Sequence, residues 1–407
     1  MNKDSGDPSE MNRRELLFSL AAPAGALGLL PQAAALTERS RHLIDRVEVF
    51  RVKVNQRGDW VLLRTHTSSG LTGLGDCSQS GNDLKTLALL DQYQRELRGR
   101  SIFAVEELRQ WSRPQVAEHG RPAAVALSAI EQSLWDLQGR ALGVPAYELF
   151  GGKLRAGIRQ YANVNRMTTD RTPAGFARSV EQAVAAGFDA VKMAPFDGLP
   201  PKPGPERTRQ IQLGVECARA ARRALGPSRD LLIDVHSLLT VPEGLDLLKE
   251  MEALALYWLE EVTAAEPLEA LATINRATAM TTAGGEGIFG IQAFYRYAAA
   301  GAVDVLMPDV KWCGGLLELR KIAGMAEGMA LRVSPHGPAS PVGNIAASHV
   351  CVTLPNCEIN EFAFAEVAWR ADVIEPPERF DKGRLTVSER PGFGMTLNER
   401  IIRQFAR

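Results

Sequence analysis

From His42 to Gly75 apolar and polar positions alternate: Val47, Val49, Val52 and Val54, then Trp60 and Leu62. A period of two sends successive side chains to opposite faces of a strand, and Gly70, Gly73 and Gly75 end the stretch. The pattern predicts two or three antiparallel strands joined by glycine turns. Between Asp83 and Leu149 the period lengthens. Ala126, Ile130, Leu134, Leu137 and Leu142 recur at helical intervals, and Gly151-Gly152 closes the segment. An α+β module over residues 42–155 is therefore expected ahead of the rest.

Beyond it the pattern changes again. Short Val/Ile/Leu-rich runs recur, each followed by a helical stretch: Tyr161–Val164, Ala190–Met193, Leu231–Val235, Leu256–Leu259, Met280–Ala283, Val303–Met307, Leu331–Val333 and Cys357–Asn360. Continuous apolar runs suit strands buried on both faces. Eight of them alternating with helices predict a (β/α)8 barrel of the TIM type over 156–375, an α/β fold with the first module as its cap. Gly198–Pro205 reads as a surface loop after the second barrel strand. The segment 376–407 is rich in turn residues and is expected to return to the cap.

Residues 1–36 have a different character. Arg13 and Arg14 precede an apolar run from Leu16 to Leu36, and Ala33, Ala34 and Ala35 offer a small-residue cleavage site. This resembles a twin-arginine export signal, although Asn12 and Glu15 flank the pair. Pro23 and Pro31 weaken the alternative of a spanning helix. A periplasmic location is expected, with a cytoplasmic one as the alternative.

Composition narrows the function. With 47 basic and 48 acidic side chains the net charge is −1, and no block of five or six Lys/Arg offers a phosphate-tracking surface. Nucleic acid is excluded as a partner, as is a membrane for the mature form. The five cysteines, Cys77, Cys217, Cys313, Cys351 and Cys357, form no C-x-x-C pair and read as small buried hydrophobes.

Barrel enzymes carry their chemistry at the C-terminal ends of the strands. Here those ends hold Lys192, Asp234 with His236, Glu260 with Glu261, Glu286, Asp309, His336 and Glu361. Asp234, Glu260 and Glu286 are each 26 residues apart, about one βα unit. Three carboxylates converging from consecutive strands repel one another unless a hard cation lies between them. All-oxygen ligation favours Mg²⁺, then Mn²⁺. Asp309 and His336 end the next two strands. A carboxylate beside an imidazole fixes its tautomer and raises its basicity, which makes a general base.

These residues carry a family resemblance. Ser128-Ala129-Ile130-Glu131-Gln132-Ser133-Leu134-Trp135-Asp136-Leu137, Leu149-Phe150-Gly151-Gly152-Lys153, Trp258-Leu259-Glu260-Glu261, Pro308-Asp309 with Gly314-Gly315, and His336 together resemble the enolase superfamily over nearly all of residues 42–407. The branch is the mandelate racemase and muconate lactonizing enzyme family, with its acid-sugar dehydratases of the galactonate and mannonate type. The resemblance implies that Asp234, Glu260 and Glu286 ligate Mg²⁺. It implies that Asp309 and His336 form the dyad that removes a proton α to a carboxylate. Glu361 would sit over the substrate carboxylate and donate or share a proton.

The departures select the chemistry. Family members that racemise usually carry Lys-x-Lys on the second strand, but here Ala194 stands in the second position and only Lys192 remains. His236 instead sits two residues after the first metal-type acid, where strand alternation would point both to the barrel mouth. This Asp-x-His resembles the acid-sugar dehydratases, in which the histidine protonates the departing β-hydroxyl. Val262 replaces the usual proline after Glu260-Glu261, and Lys311 is one residue off the lysine of the muconate-lactonizing branch. The leading expectation is Mg²⁺-dependent dehydration of an aldonate or aldarate to a 2-keto-3-deoxy acid. Racemisation or epimerisation of an α-substituted carboxylate, with Lys192 or His236 as second base, is the alternative within the superfamily. A non-catalytic periplasmic binding protein is the alternative outside it. Specificity is expected from the capping loops Asn55–Gly58 and Cys77–Asp83, where Asn55, Gln56, Arg57 and Gln79 suit a hydroxyl-rich acid. Barrels capped in this way often form dimers or octamers, so a homo-oligomer is expected.

Overall fold

The computed structural model describes residues 40–55, 58–79 and 83–407. The export-type segment 1–36, Gln56 and Arg57, and residues 80–82 of the second capping loop lie outside the described residues. From His42 onward the chain forms one unit. No helix of the described residues is long and apolar enough to cross a membrane.

The cap opens with a meander of β1 (Ile44–Asn55), β2 (Gly58–Thr67) and β3 (Thr72–Asp76), paired antiparallel in that order. Helices α1 (Asp83–Leu97), α2 (Val105–His119) and α3 (Arg121–Leu142) follow. The glycines expected to make turns divide in role. Gly70 makes one, with φ of 84°. Gly73 and Gly75 lie inside β3, where α3 crosses at backbone contact. A Cβ at Gly75 would lie 2.1 Å from the Ala129 carbonyl oxygen, and one at Gly73 2.3 Å from that of Ser133. Only hydrogen at Cα permits that approach.

The barrel strands are β4 (Gly157–Asn163), β5 (Ala190–Met193), β6 (Asp230–Asp234), β7 (Trp258–Glu260), β8 (Thr282–Gly284), β9 (Val305–Leu306), β10 (Arg332–Val333) and β11 (Ile359–Ala363). They pair in parallel in chain order from β4 to β10, and β11 returns to pair with β4. The β10–β11 seam is joined by the Val333 amide on the Asn356 carbonyl at 2.9 Å and by Ser334 Oγ on the Ile359 carbonyl at 2.9 Å. Each sequence-expected run corresponds to one of these strands, so the chain folds as a modified (β/α)8 barrel behind an α+β cap. Tyr161, Leu232, Trp258, Val305, Met307 and Ile359 fill the barrel interior. Tyr161 and Trp258 meet edge to face at 5.4 Å between ring centres. The crossover helices α4 (Pro173–Ala185), α5 (Pro205–Leu225), α6 (Val241–Met251), α7 (Leu268–Arg276), α8 (Ile291–Ala299), α9 (Leu316–Gly328) and α10 (Pro341–Cys351) cover the outside. Proline at the first turn and a Ser/Thr cap start α4, α6 and α10.

The tail divides between the two modules. Arg384–Thr386 pairs antiparallel with β4 and so extends the barrel sheet. The rest reaches the cap: the Phe393 amide donates to Asp136 at 2.7 Å, and the Lys53 amide donates to the Phe405 carbonyl at 2.8 Å.

The motif centred on Glu131 fastens cap to barrel. Glu131 lies within α3, yet its carboxylate accepts the Leu316 and Leu317 amides at 2.7 and 2.9 Å. It thereby caps α9, whose own N-cap residue, Gly315, has no side chain to do so. Gly315 is obligatory because a Cβ there would lie 2.0 Å from Glu131 Oε2. Trp135 Nε1 donates to the same carboxylate at 2.6 Å, and Gln132 Nε2 donates to the Val310 carbonyl at 3.1 Å. Asp309 precedes Val310, so this clasp also fixes the strand end that carries it. Replacing Glu131 by glutamine puts an amide NH₂ against backbone donors. Thermal denaturation of Glu131→Gln is expected to show a loss of about 1–3 kcal/mol; an unchanged melting temperature would refute the capping role.

Candidate active site

Parallel register aligns the acids. Asp234 is the last residue of β6 and stands opposite Glu260, the last residue of β7. Glu286 follows β8 across Gly285, whose φ is 100°. One carboxylate oxygen from each of the three lies within 4.8 Å of the others. Lys192, one residue from the end of β5, reaches into this group. Its ammonium lies 3.0 Å from Asp234 Oδ2 and 3.4 Å from Glu361 Oε1, and it also bonds Glu260. Trp258 Nε1 donates to the other Glu260 oxygen at 2.9 Å from within the barrel.

His336 stands on the Glu286 flank. Its Nδ1 lies 2.7 Å from Asp309 Oδ2, its Nε2 3.0 Å from Glu286 and 3.8 Å from Glu361. Asp309 is fully buried and also accepts the Lys311 ammonium and amide, each at 2.7 Å. Lys311 is thus engaged in holding the dyad's carboxylate. Glu361, on β11, accepts Asn163 Nδ2 at 2.7 Å and the Gly337 amide at 2.9 Å.

His236 stands on the Asp234 flank by a route other than strand alternation. β6 ends at Asp234, and His236 and Ser237 take left-handed conformations with φ of 49° and 59°. The His236 amide donates to Asp234 Oδ1 at 2.9 Å, and this turn brings Nε2 to 3.2 Å from Asp234 Oδ2. The other ring nitrogen, Nδ1, bonds Asp197. Asp197 also accepts from Asn165 at 3.0 Å. The predicted site residues Lys192, Asp234, His236, Glu260, Glu286, Asp309, His336 and Glu361 therefore meet at one barrel mouth.

Their charges shift one another. Burial opposes the imidazolium of His336, but Glu286, Glu361 and the bond to Asp309 outweigh it and raise its pKa to about 10. Burial likewise opposes the charged form of His236, and Asp234 and Asp197 raise it to about 9. Burial and then repulsion from Asp234 push Glu260 well above the usual carboxylate range despite Lys192. Glu286 moves the other way: burial is overcome by His336.

A buried cluster of oxygens that is short of positive charge suits a hard divalent cation. Asp234, Glu260 and Glu286 are the residues that fit it. Directly before them opens a cavity of about 260 Å³, walled by the barrel side chains Asn163, Asn165, Arg166, Lys311, Trp312 and Pro338 and by the cap's Asp59, Trp60, Ser78, Gln79 and Arg121.

Three parts of this site escaped the sequence reading. Asp197, the partner of His236, ends no strand but lies in the loop after β5. Asn163 occupies the end of the first barrel strand, a position that could have been read by the rule applied to the others. Arg121 comes from the cap helix, and nothing in its local sequence marks it.

The family model described as "Mandelate racemase / muconate lactonizing enzyme, N-terminal domain" matches residues 45–151, and "Enolase C-terminal domain-like" matches residues 175–401. A D-gluconate dehydratase of Thermoproteus tenax is 31% identical over 85% of this chain and 69% of its own length. A D-galactonate dehydratase of Verminephrobacter eiseniae is 30% identical over 86% of this chain and 91% of its own. Among solved structures, a mandelate racemase/muconate lactonizing enzyme-like protein of Rubrobacter xylanophilus superposes with a TM-score of 0.82 at 29% identity, over 90% of this chain and 98% of that one. The chain belongs to the mandelate racemase and muconate lactonizing enzyme family of the enolase superfamily.

Proposed function

We propose that the protein is a hydro-lyase that dehydrates a sugar acid, an aldonate or aldarate, to a 2-keto-3-deoxy acid with Mg²⁺ (or Mn²⁺) as its ion. The observation that carries this reading is the pair of imidazoles, each backed by its own carboxylate, on two flanks of one acid triad. Dehydration needs a base for the α-proton and an acid for the β-hydroxyl, and this pair supplies both. The relatives named as D-gluconate and D-galactonate dehydratases support it, as does a D-xylonate dehydratase of Haloferax volcanii at 28% identity.

Asp234, Glu260 and Glu286 would hold the ion, which when bound would supply positive charge to the substrate carboxylate. His336 Nε2 accepts that proton, because Asp309 holds the proton on Nδ1 and leaves Nε2 facing the cavity. Glu361, fixed by Asn163 and the Gly337 amide, lies beside the carboxylate and shares a proton with it. Lys192 adds an ammonium to the same field. His236, oriented by Asp197, gives its proton to the departing hydroxyl. Of the second bases that racemisation could use, Ala194 has no side-chain nitrogen and Lys192 is engaged by three carboxylates, which leaves His236, the group this reading assigns as the acid. The export-type segment supports, in this reading, a periplasmic enzyme.

The direct test is proton NMR in D₂O with Mg²⁺ and a panel of aldonic and aldaric acids. A new 3-deoxy methylene signal is expected from one of them. Loss of an α-proton signal without a methylene would instead assign racemisation or epimerisation. His236→Asn is expected to slow water loss by about 10²–10⁴-fold while α-proton exchange persists; full turnover would refute the acid assignment. In the metal-free protein His336, at about 10, holds its proton at neutral pH and is no base. Mg²⁺ in the triad would neutralise Glu286, the foremost of the carboxylates that raise it. Titration of His336 by NMR is therefore expected to move toward the ordinary 6.5 when Mg²⁺ is added, and an unmoved titration would overturn this account.

A further inference from the structure

The cavity has a second pole, on the side that the cap supplies. Arg121 opens α3, where Pro122 sits in the first turn and the helix behind it is buried in the cap. The guanidinium carbon lies 3.6 Å from the centre of the Trp312 ring, and that ring lies 5.2 Å from the imidazole of His336. Those two steps laid end to end bound the distance from Arg121 to the proposed base. Arg121 is therefore within reach of an extended five- or six-carbon acid whose α-carbon sits at His336.

Arg121 differs from the other cations of the wall. Arg166 is paired with Glu366, Lys311 with Asp309 and Lys192 with the triad. Among the described residues no carboxylate pairs with Arg121; its contact is the Trp312 face. The cap's carboxylate on this wall, Asp59, is already held by Arg51 and Arg407, each at 2.8 Å. Trp312 and Trp60 stand on the same wall, and their indole N–H groups are buried without an acceptor. This end of the cavity therefore has a surplus of donors. Guanidinium and indole donate and cannot accept. A terminal hydroxymethyl group offers them one oxygen and brings a donor of its own. A carboxylate offers two oxygens, a charge and the planar fit to the guanidinium fork.

We propose that Arg121, seated on the face of Trp312, binds a second carboxylate at the far end of the substrate, so that the acid taken is a dicarboxylate of the aldarate class. This rests on the dehydratase reading above.

The test compares matched pairs, D-glucarate with D-gluconate and D-galactarate with D-galactonate, and adds gluconate 6-phosphate as a different terminal anion. Turnover is measured with Mg²⁺ for the wild type, Arg121→Gln and Arg121→Lys, and binding to His336→Asn by calorimetry. The wild type is expected to favour one aldarate over its aldonate by at least about tenfold in kcat/KM. Arg121→Gln is expected to raise KM for that aldarate by about 10–100-fold and to collapse the preference. Arg121→Lys should restore it in part, since an ammonium keeps the charge and loses the fork. An equal fall in kcat for both members of a pair would show that Arg121 only seats Trp312 against His336, and would overturn the proposal. So would turnover of aldonates with aldarates neither turned over nor bound, a result that leaves dehydration standing. Preference for gluconate 6-phosphate would assign the pole to phosphate and overturn the carboxylate. No turnover and no binding of any of the five acids would refute the dehydratase reading, and this inference with it.

Discussion

Repulsion among buried carboxylates is the constraint on which the barrel mouth depends. Asp234, Glu260, Asp309 and Glu361 are almost wholly buried, and Glu286 closes the group. Uncompensated charges at such depth would unfold the site or take up protons. The structure meets the constraint by interleaving cations from other strands. Lys192 stands among Asp234, Glu260 and Glu361, Lys311 holds Asp309, and each imidazole lies between two carboxylates. One position among Asp234, Glu260 and Glu286 stays short of positive charge. That shortage is what suits the place to a cation, and the same field sets the protonation of both histidines.

The two histidines are held by different means, which suits different tasks. His336 follows a strand and is buried, its ring fixed by Asp309 and packed against Trp312. His236 is carried on a left-handed turn and is a third exposed, with Asp197 behind it. A base that must meet a carbon-bound proton benefits from a rigid, dry setting. An acid that releases a hydroxyl as water benefits from access to solvent.

The cap does more than cover this mouth. Glu131 caps a barrel helix, Gln132 binds the carbonyl beside Asp309, and Asp76 accepts the Ser340 amide and hydroxyl in the loop that follows His336. The same helix that clasps the barrel starts at Arg121, so the clasp also positions the backbone of that wall of the cavity. A site built across two modules can then hold the two ends of one small molecule at a fixed separation.

Much of this was legible in the residues themselves. Apolar runs of four or five with helical stretches between them determine a parallel barrel, because a strand buried on both faces cannot show polar alternation. Once the barrel is assumed, the acids and bases at the strand ends follow by position. Other features had no local signal. Gly73 and Gly75 read as turn residues, yet they are small because α3 crosses β3 at backbone contact. His236 reaches the cavity through a positive φ, so strand alternation named the right residue for the wrong reason. Asp197 and Arg121 act across contacts between segments far apart in sequence: Asp197 and His236 are 39 residues apart, and Arg121 precedes Trp312 by 191. The sequence by itself determined the layers, the strand order and the kinds of group at each strand end, since periodicity and spacing are local properties. The tertiary structure alone decided which carboxylate backs which imidazole and which arginine stacks on Trp312, since pairing depends on distances that only the closed barrel and its docked cap create.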